Sequence, residues 1–154
     1  MSGITLNHNG AEISEAFNQL LRRSSDLTDA MRQVAGVLED VPEESFAAEA
    51  APDGTPWEDL GDYTKAERSE SGYWPGQILQ RSGRLAASIE SGFDDTSASV
   101  GTNVIYAAIQ HYGGVTSPDS MIPNKEIPAR PFLGLGEQHE DEILDILRDS
   151  LASF

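Results

Sequence analysis

Apolar residues recur along the first third of the chain at Ile13, Phe17, Leu20, Leu27, Met31, Val34, Leu38 and Val41. Steps of three, four and seven keep them on one side of a helix, so the pattern predicts a long amphipathic N-terminal helix. Asn9, with Glu12 three residues on, has the form of a capping box at its start. Gly36 weakens the helix locally, and Pro42 is expected to end or kink it near Val41. Such a helix would run for about 30 residues, or about 45 Å, which exceeds a compact domain of this chain length. Its stripe is expected to serve mainly as the chain's own core face, and in part as a seam against a neighbour.

The pattern then changes. Residues 39–62 contain no lysine or arginine and are punctuated by Pro42, Pro52, Gly54, Pro56 and Gly61. Pro52-Asp53-Gly54-Thr55-Pro56 is a turn signal, with Trp57 and Leu60 as anchors back to the core. Tyr73-Trp74 lies beside a second loop at Gly72 and Pro75-Gly76. Exposed, such a pair marks an interface; tucked in, it anchors its own domain. Leu85 and Ile89 lead into Gly92-Phe93, Asp94-Asp95-Thr96 supplies a turn, and Ala98, Val100 and Gly101 follow as a short alternating strand. This predicts a hairpin. Residues 104–112 suit a short helix stopped by Gly113-Gly114. From Val115 to Arg130 the prolines at 118, 123 and 128 permit edge strands only, so this stretch is the candidate loop that orders on assembly. Ile143, Leu144, Leu147 and Leu151 place a second amphipathic helix between Glu137 and Leu151.

Charge narrows the partners. The 154 residues carry 26 acids against 10 bases, a net charge of -16, and two of the bases are lysines. Such a surface repels nucleic acid and anionic membranes. It also confers solubility, and a high-salt habitat or a biased genome would give a similar composition. With no cysteine, disulfides, thiolate metal sites and cysteine nucleophiles are excluded. No signal peptide and no apolar run of membrane-spanning length is present in the sequence, so the chain is expected to be soluble.

The sequence carries no recognisable catalytic or metal-binding motif. His8, His111 and His139 are too far apart in sequence for a zinc motif, and no calcium loop is present. The serines lack nucleophile-elbow and Ser-x-x-Lys contexts, and Gly134-Leu135-Gly136 lacks the third glycine and the strand of a dinucleotide loop. His111-Tyr112, at the end of a short helix, reads as structural. No catalytic residue, metal or cofactor is expected.

One motif remains: Ile127-Pro128-Ala129-Arg130-Pro131-Phe132-Leu133. Two prolines stiffen the backbone around Arg130, whose guanidinium should find a carboxylate in its own chain or the next. Phe132 can anchor the segment in apolar surface.

In order and spacing the chain resembles the virion morphogenesis family of tailed phages, which includes tail-completion and Mu-like proteins. The resemblance spans roughly residues 10 to 150. It rests on the long N-terminal helix, Pro52-Asp53-Gly54-Thr55-Pro56-Trp57 with Leu60, and Thr64 and Arg68. Then come Ile78-Leu79-Gln80-Arg81-Ser82-Gly83-Arg84-Leu85 with Ser88-Ile89, and Val100-Gly101-Thr102. Tyr106-Ala107, Gln110-His111-Tyr112-Gly113-Gly114 and the proline-flanked Arg130 motif complete it. The resemblance implies an α+β fold, with the long N-terminal helix and a C-terminal helix packed on a small antiparallel β-sheet, and extended loops. It implies one domain over 1–154, with a flexible stretch at 1–9 and an extended assembly loop at 115–130. It also implies a non-enzymatic neck or tail-completion subunit of the virion, made in the host cytoplasm and working as a ring, commonly a hexamer.

The expected partners are copies of itself, head-completion or connector proteins, and tail tube or terminator proteins. Genome DNA would pass through the lumen without specific binding, and no membrane is involved. Arg130, Phe132, Trp57, Tyr73, Trp74 and Tyr112 are the candidate interface residues. Arg130→Ala is expected to weaken assembly and spare the isolated fold. A tail-terminator ring is the nearest alternative role. An acidic DNA-mimicking inhibitor and a small hydrolase are the alternatives of other classes.

Overall fold

The computed structural model describes residues 10–72, 75–80 and 82–154. Asn9 of the expected capping box, the 1–9 stretch, Tyr73, Trp74 and Arg81 lie outside the described residues.

The N-terminal stripe is carried by two helices, not one: α1 (Ala11–Arg23) and α2 (Thr28–Ala48). The interruption has a local cause. The Asp26 carboxylate accepts the backbone N–H of Thr28 at 3.1 Å, and Ser24 Oγ accepts the Asp26 N–H at 3.1 Å. These short polar side chains satisfy backbone donors outside a helix and so compete with continuation. Leu27 N donates to Asp95 O at 2.8 Å, which fixes the break against the later hairpin. Of the two effects expected of Pro42, an end or a kink near Val41, the end does not occur. The helix runs on to Ala48 and closes at Glu49 in the left-handed region, φ 53°. Pro42 is fully buried, so packing of its ring offsets the lost helical hydrogen bond.

After the 51–56 turn come α3 (Asp62–Glu70) and the short α4 (Arg84–Ala87). The predicted hairpin is present as β1 (Glu90–Phe93) and β2 (Ala98–Gly101), antiparallel, with Glu90 opposite Gly101 and Phe93 opposite Ala98. Asp94 closes its turn by accepting the N–H groups of Thr96 and Ser97 at 2.8 and 2.7 Å. The short helix is α5 (Ala107–Tyr112). Next, β3 (Gly114–Val115) and β4 (Glu126–Ile127) pair antiparallel as a two-residue ribbon, and α6 (Glu137–Ala152) follows. The fold is α+β, with six helices and two small antiparallel sheets among the described residues.

The apolar stripes meet in two clusters. In one, α1, α2 and α6 pack together through Leu20, Met31, Val34, Val37, Ile143 and Leu147. In the other, Phe46 at the far end of α2 gathers Trp57, Ile78, Leu85, Ala107 and Phe132. Helix α2 belongs to both, and it also packs against β1 and β2. Acidic residues Glu137 and Glu140 in the first turn suit the positive end of α6. There Gly136 N–H donates to His139 Nδ1 at 2.9 Å, which leaves the proton on Nε2, 2.8 Å from Glu44 Oε2.

Candidate assembly surface

The surface is built on an internal clamp. Trp57 is 7% exposed, and its Nε1 donates to Pro131 O at 2.8 Å. Arg130, 6% exposed, donates from Nε to Glu58 O at 2.9 Å and from Nη2 to Asp59 O at 3.0 Å. Its backbone N–H donates to Gln110 O at 2.8 Å, tying the segment to α5. Phe132 is fully buried, stacked on Phe46 at 5.3 Å and edge-on to His111 at 5.2 Å. The His111 ring is itself buried, and its Nδ1 accepts the Phe132 N–H at 3.3 Å. Segments 57–60 and 129–133, some 70 residues apart in sequence, are thereby joined by fixed hydrogen bonds.

Electrostatics follow from this geometry. Burial pulls the Arg130 guanidinium below its ordinary value, against the opposing charges of Glu58 and Asp59. Burial also lowers the His111 imidazole, favouring the neutral ring that the Phe132 N–H requires. A hydrogen bond from Lys65 Nζ at 2.8 Å, then one from the Leu60 N–H, hold the Asp59 carboxylate below the usual range.

From this clamp residues 114–127 project as an arm. Its root requires a glycine: Gly113 has φ 72°, and a Cβ there would meet Ala129 N at 2.7 Å and Ile127 O at 2.8 Å. The β3–β4 ladder is extended by Thr116 N to Lys125 O at 2.9 Å, and the Thr116 hydroxyl bonds to the carbonyl of Ile122. Beyond it Met121 is fully exposed and Ile122 is 46% exposed. Val115 on the ribbon and Tyr112 at the end of α5 are also exposed, as are Ile105 and Tyr106 just before α5. Lys125 stands 5.5 Å from the centroid of the exposed Tyr63 ring on α3, so the arm leans on that helix.

Of the six candidate interface residues, the structure brings Arg130, Phe132 and Trp57 together inside one chain. Trp57 is the anchor back to the core that the sequence predicted, and Arg130 meets two backbone carbonyls of its own chain where a carboxylate was expected. Tyr112 faces solvent, beside His111 at 4.6 Å between ring centroids. Tyr73 and Trp74 lie outside the described residues. Sequence reasoning missed Ile105, Val115, Met121 and Ile122. The available signal was an apolar pair, Met121-Ile122, in a loop bracketed by Pro118 and Pro123. Among the described residues no group of three or more His, Asp or Glu could hold a metal ion, and no helix is long and apolar enough to cross a membrane.

The sequence motifs thus define a scaffold, and comparison with known proteins identifies whose scaffold it is. Residues 8–152 match the model of the phage virion morphogenesis family, and the chain belongs to that family. It is 37% identical over 123 residues to the putative capsid assembly protein G of Escherichia phage Mu, covering 79% of this chain and 78% of that protein. It is 39% identical over 142 residues to Mu-like prophage FluMu G protein 1 of Haemophilus influenzae, covering 91% and 89%. FluMu G protein 2 of the same organism is 32% identical over 142 residues, covering 92% and 91%. No solved structure gives a significant match. The chain is a phage structural or assembly protein, a component of the virion morphogenesis machinery.

Proposed function

We propose that the chain is a ring-forming subunit at the tail-completion or neck position of the virion. It acts by fitting against copies of itself and against head-completion, connector or tail proteins, and transforms no substrate. The observation that carries this reading is the exposed apolar surface on and beside the arm: Met121, Val115, Ile105 and Tyr112 face solvent on a chain of net charge -16. A charge of that size keeps copies apart unless a specific contact overcomes it. Large apolar side chains left exposed on so acidic a chain suit such contacts. A capsid assembly protein among the relatives fits a part that meets the head.

The acidic faces suit the channel of such a ring. Asp141, Glu142, Asp145 and Asp149 are exposed on α6, and Asp40 on α2. Acids lining the lumen would repel DNA from the wall and let it slide through. Native mass spectrometry and negative-stain imaging of the purified chain, with antibody labelling of virions, test the reading. The expected result is a closed ring, hexameric in the family pattern, and label between head and tail. A chain that is monomeric at every concentration and missing from the particle's neck overturns it.

A further inference from the structure

A groove of mixed character lies away from the arm. Buried Pro42 and Phe46 on α2, with Gln77, Gln80, Ala86 and Ile89 across from them, line a space of about 360 Å³. Ala47 lies at its lip, and the exposed carboxylates of Glu39 and Glu43 stand on its rim. The arm offers the complement: two aliphatic side chains, Met121 and Ile122, followed by Lys125, one of the chain's two lysines.

We infer that the arm of one copy docks in the α2 groove of the next, with Met121 and Ile122 against Ala47, Ala86 and Ile89, and Lys125 against Glu39 and Glu43. Three observations support the second copy as occupant. Both halves of the contact are present in one chain on different elements, because the arm leans on α3 while the groove is walled by α2 with Gln77, Gln80, Ala86 and Ile89. A contact between unlike surfaces is heterologous and propagates head to tail, which closes into a ring when the rotation permits. The rim is acidic and the arm places a cation two residues past its apolar pair's flanking proline, so charge selects the register. The ribbon hydrogen bonds also shape the arm before contact, which lowers the entropy lost on docking. Asp119 and Glu126 share the arm with Lys125, so the attraction is local to the Lys125 end and not a property of the whole loop.

This inference rests on the ring reading above, and the absence of native cysteine makes it testable by crosslinking. Met121→Cys and Ala47→Cys, combined in one chain and oxidised, should give a ladder of linked multimers that ends at the ring size. Each single variant should give no such ladder. Crosslinks between like positions only, or none in a preparation whose mass shows a ring, overturn the docking and leave the ring reading standing. No crosslink and no ring at any concentration overturn both. Charge exchange supplies an independent readout. Lys125→Glu and Glu43→Lys should each weaken association about tenfold, and the two together should recover most of it. Additive losses in the double variant count against the pairing.

Discussion

Arg130 shows how one side chain can carry a family motif without facing a partner. Its fork holds two consecutive carbonyls, Glu58 O and Asp59 O, while its own backbone N–H is held by α5. Read from sequence, the Arg130→Ala variant should spare the isolated fold. With the fork buried inside the chain, the expected outcome becomes a loss of about 1–3 kcal/mol of stability, because two carbonyls lose charged donors and the packing of the buried guanidinium goes with them. Arg130→Lys should recover part of it, since one ammonium cannot match the planar fork. Urea titration of the three proteins decides. An unchanged midpoint for Arg130→Ala would return the residue to the interface. His111 gives a pH test. Its folded-state imidazole is held below the ordinary 6.5, so the unfolded chain binds the proton that the folded ring refuses. As pH falls below 6.5 toward the folded value, stability should therefore drop, by at most about 1.4 kcal/mol per pH unit, and level off below it. His111→Gln keeps an acceptor for the Phe132 N–H and removes the titration. Its stability should be flatter over the same range, and an identical slope in both proteins would sink the assignment.

At the scale of elements, glycine separates two kinds of demand. Gly83 at the start of α4 has φ 73° with nothing near its missing Cβ, whereas Gly113 has φ 72° and the backbone of residues 127–129 within contact. Gly83→Ala should cost about 1–2 kcal/mol, the strain of the left-handed region. Gly113→Ala adds a backbone collision, so it should cost more and displace the arm. Chemical denaturation ranks the two, and backbone amide spectra should show shifts across residues 114–127 only for the second. The elements themselves were unevenly legible in the sequence. The hairpin, α5 and α6 followed from alternation, turn residues and helical spacing, which are local. The break between α1 and α2 was hidden because Leu20 and Leu27 stay seven apart, in phase across it. Only the capping by Asp26 and the bond from Leu27 to the hairpin turn reveal it. At Pro42 burial outweighed the local preference for ending the helix, so α2 continues through it. At the candidate site, Trp57 and Phe132 were legible as anchors, but whether they anchor inward or outward depends on tertiary packing that spacing does not encode. Met121 and Ile122 were overlooked because exposure, too, is decided by the folded surroundings.

For the whole molecule, α2 is the element that makes two clusters one structure. Phe46 near its C-terminus stacks on Phe132, and Met31, Val34 and Val37 nearer its N-terminus pack with α1 and α6. A helix shared in this way couples the clusters, because unfolding either one strips an apolar face from the same 21 residues. Leu147 is fully buried in the α1–α2–α6 cluster, and Leu147→Ala should cost about 2–5 kcal/mol through lost contacts and the cavity left behind. That is a large fraction of the roughly 5–15 kcal/mol a domain holds. If α2 couples the clusters, the loss reaches the distant one. The unfolding transition seen by tryptophan fluorescence, which includes Trp57, should then shift as far as the helical circular-dichroism transition. Phe132→Ala, on the other side, should move the same two signals together. Two separated transitions, with the tryptophan signal untouched by Leu147→Ala, would mean that the clusters fold independently. The arm and the groove would then both ride on the cluster gathered around Phe46 and Phe132, and a ring contact through them would leave the α1–α2–α6 cluster outside the rigid frame.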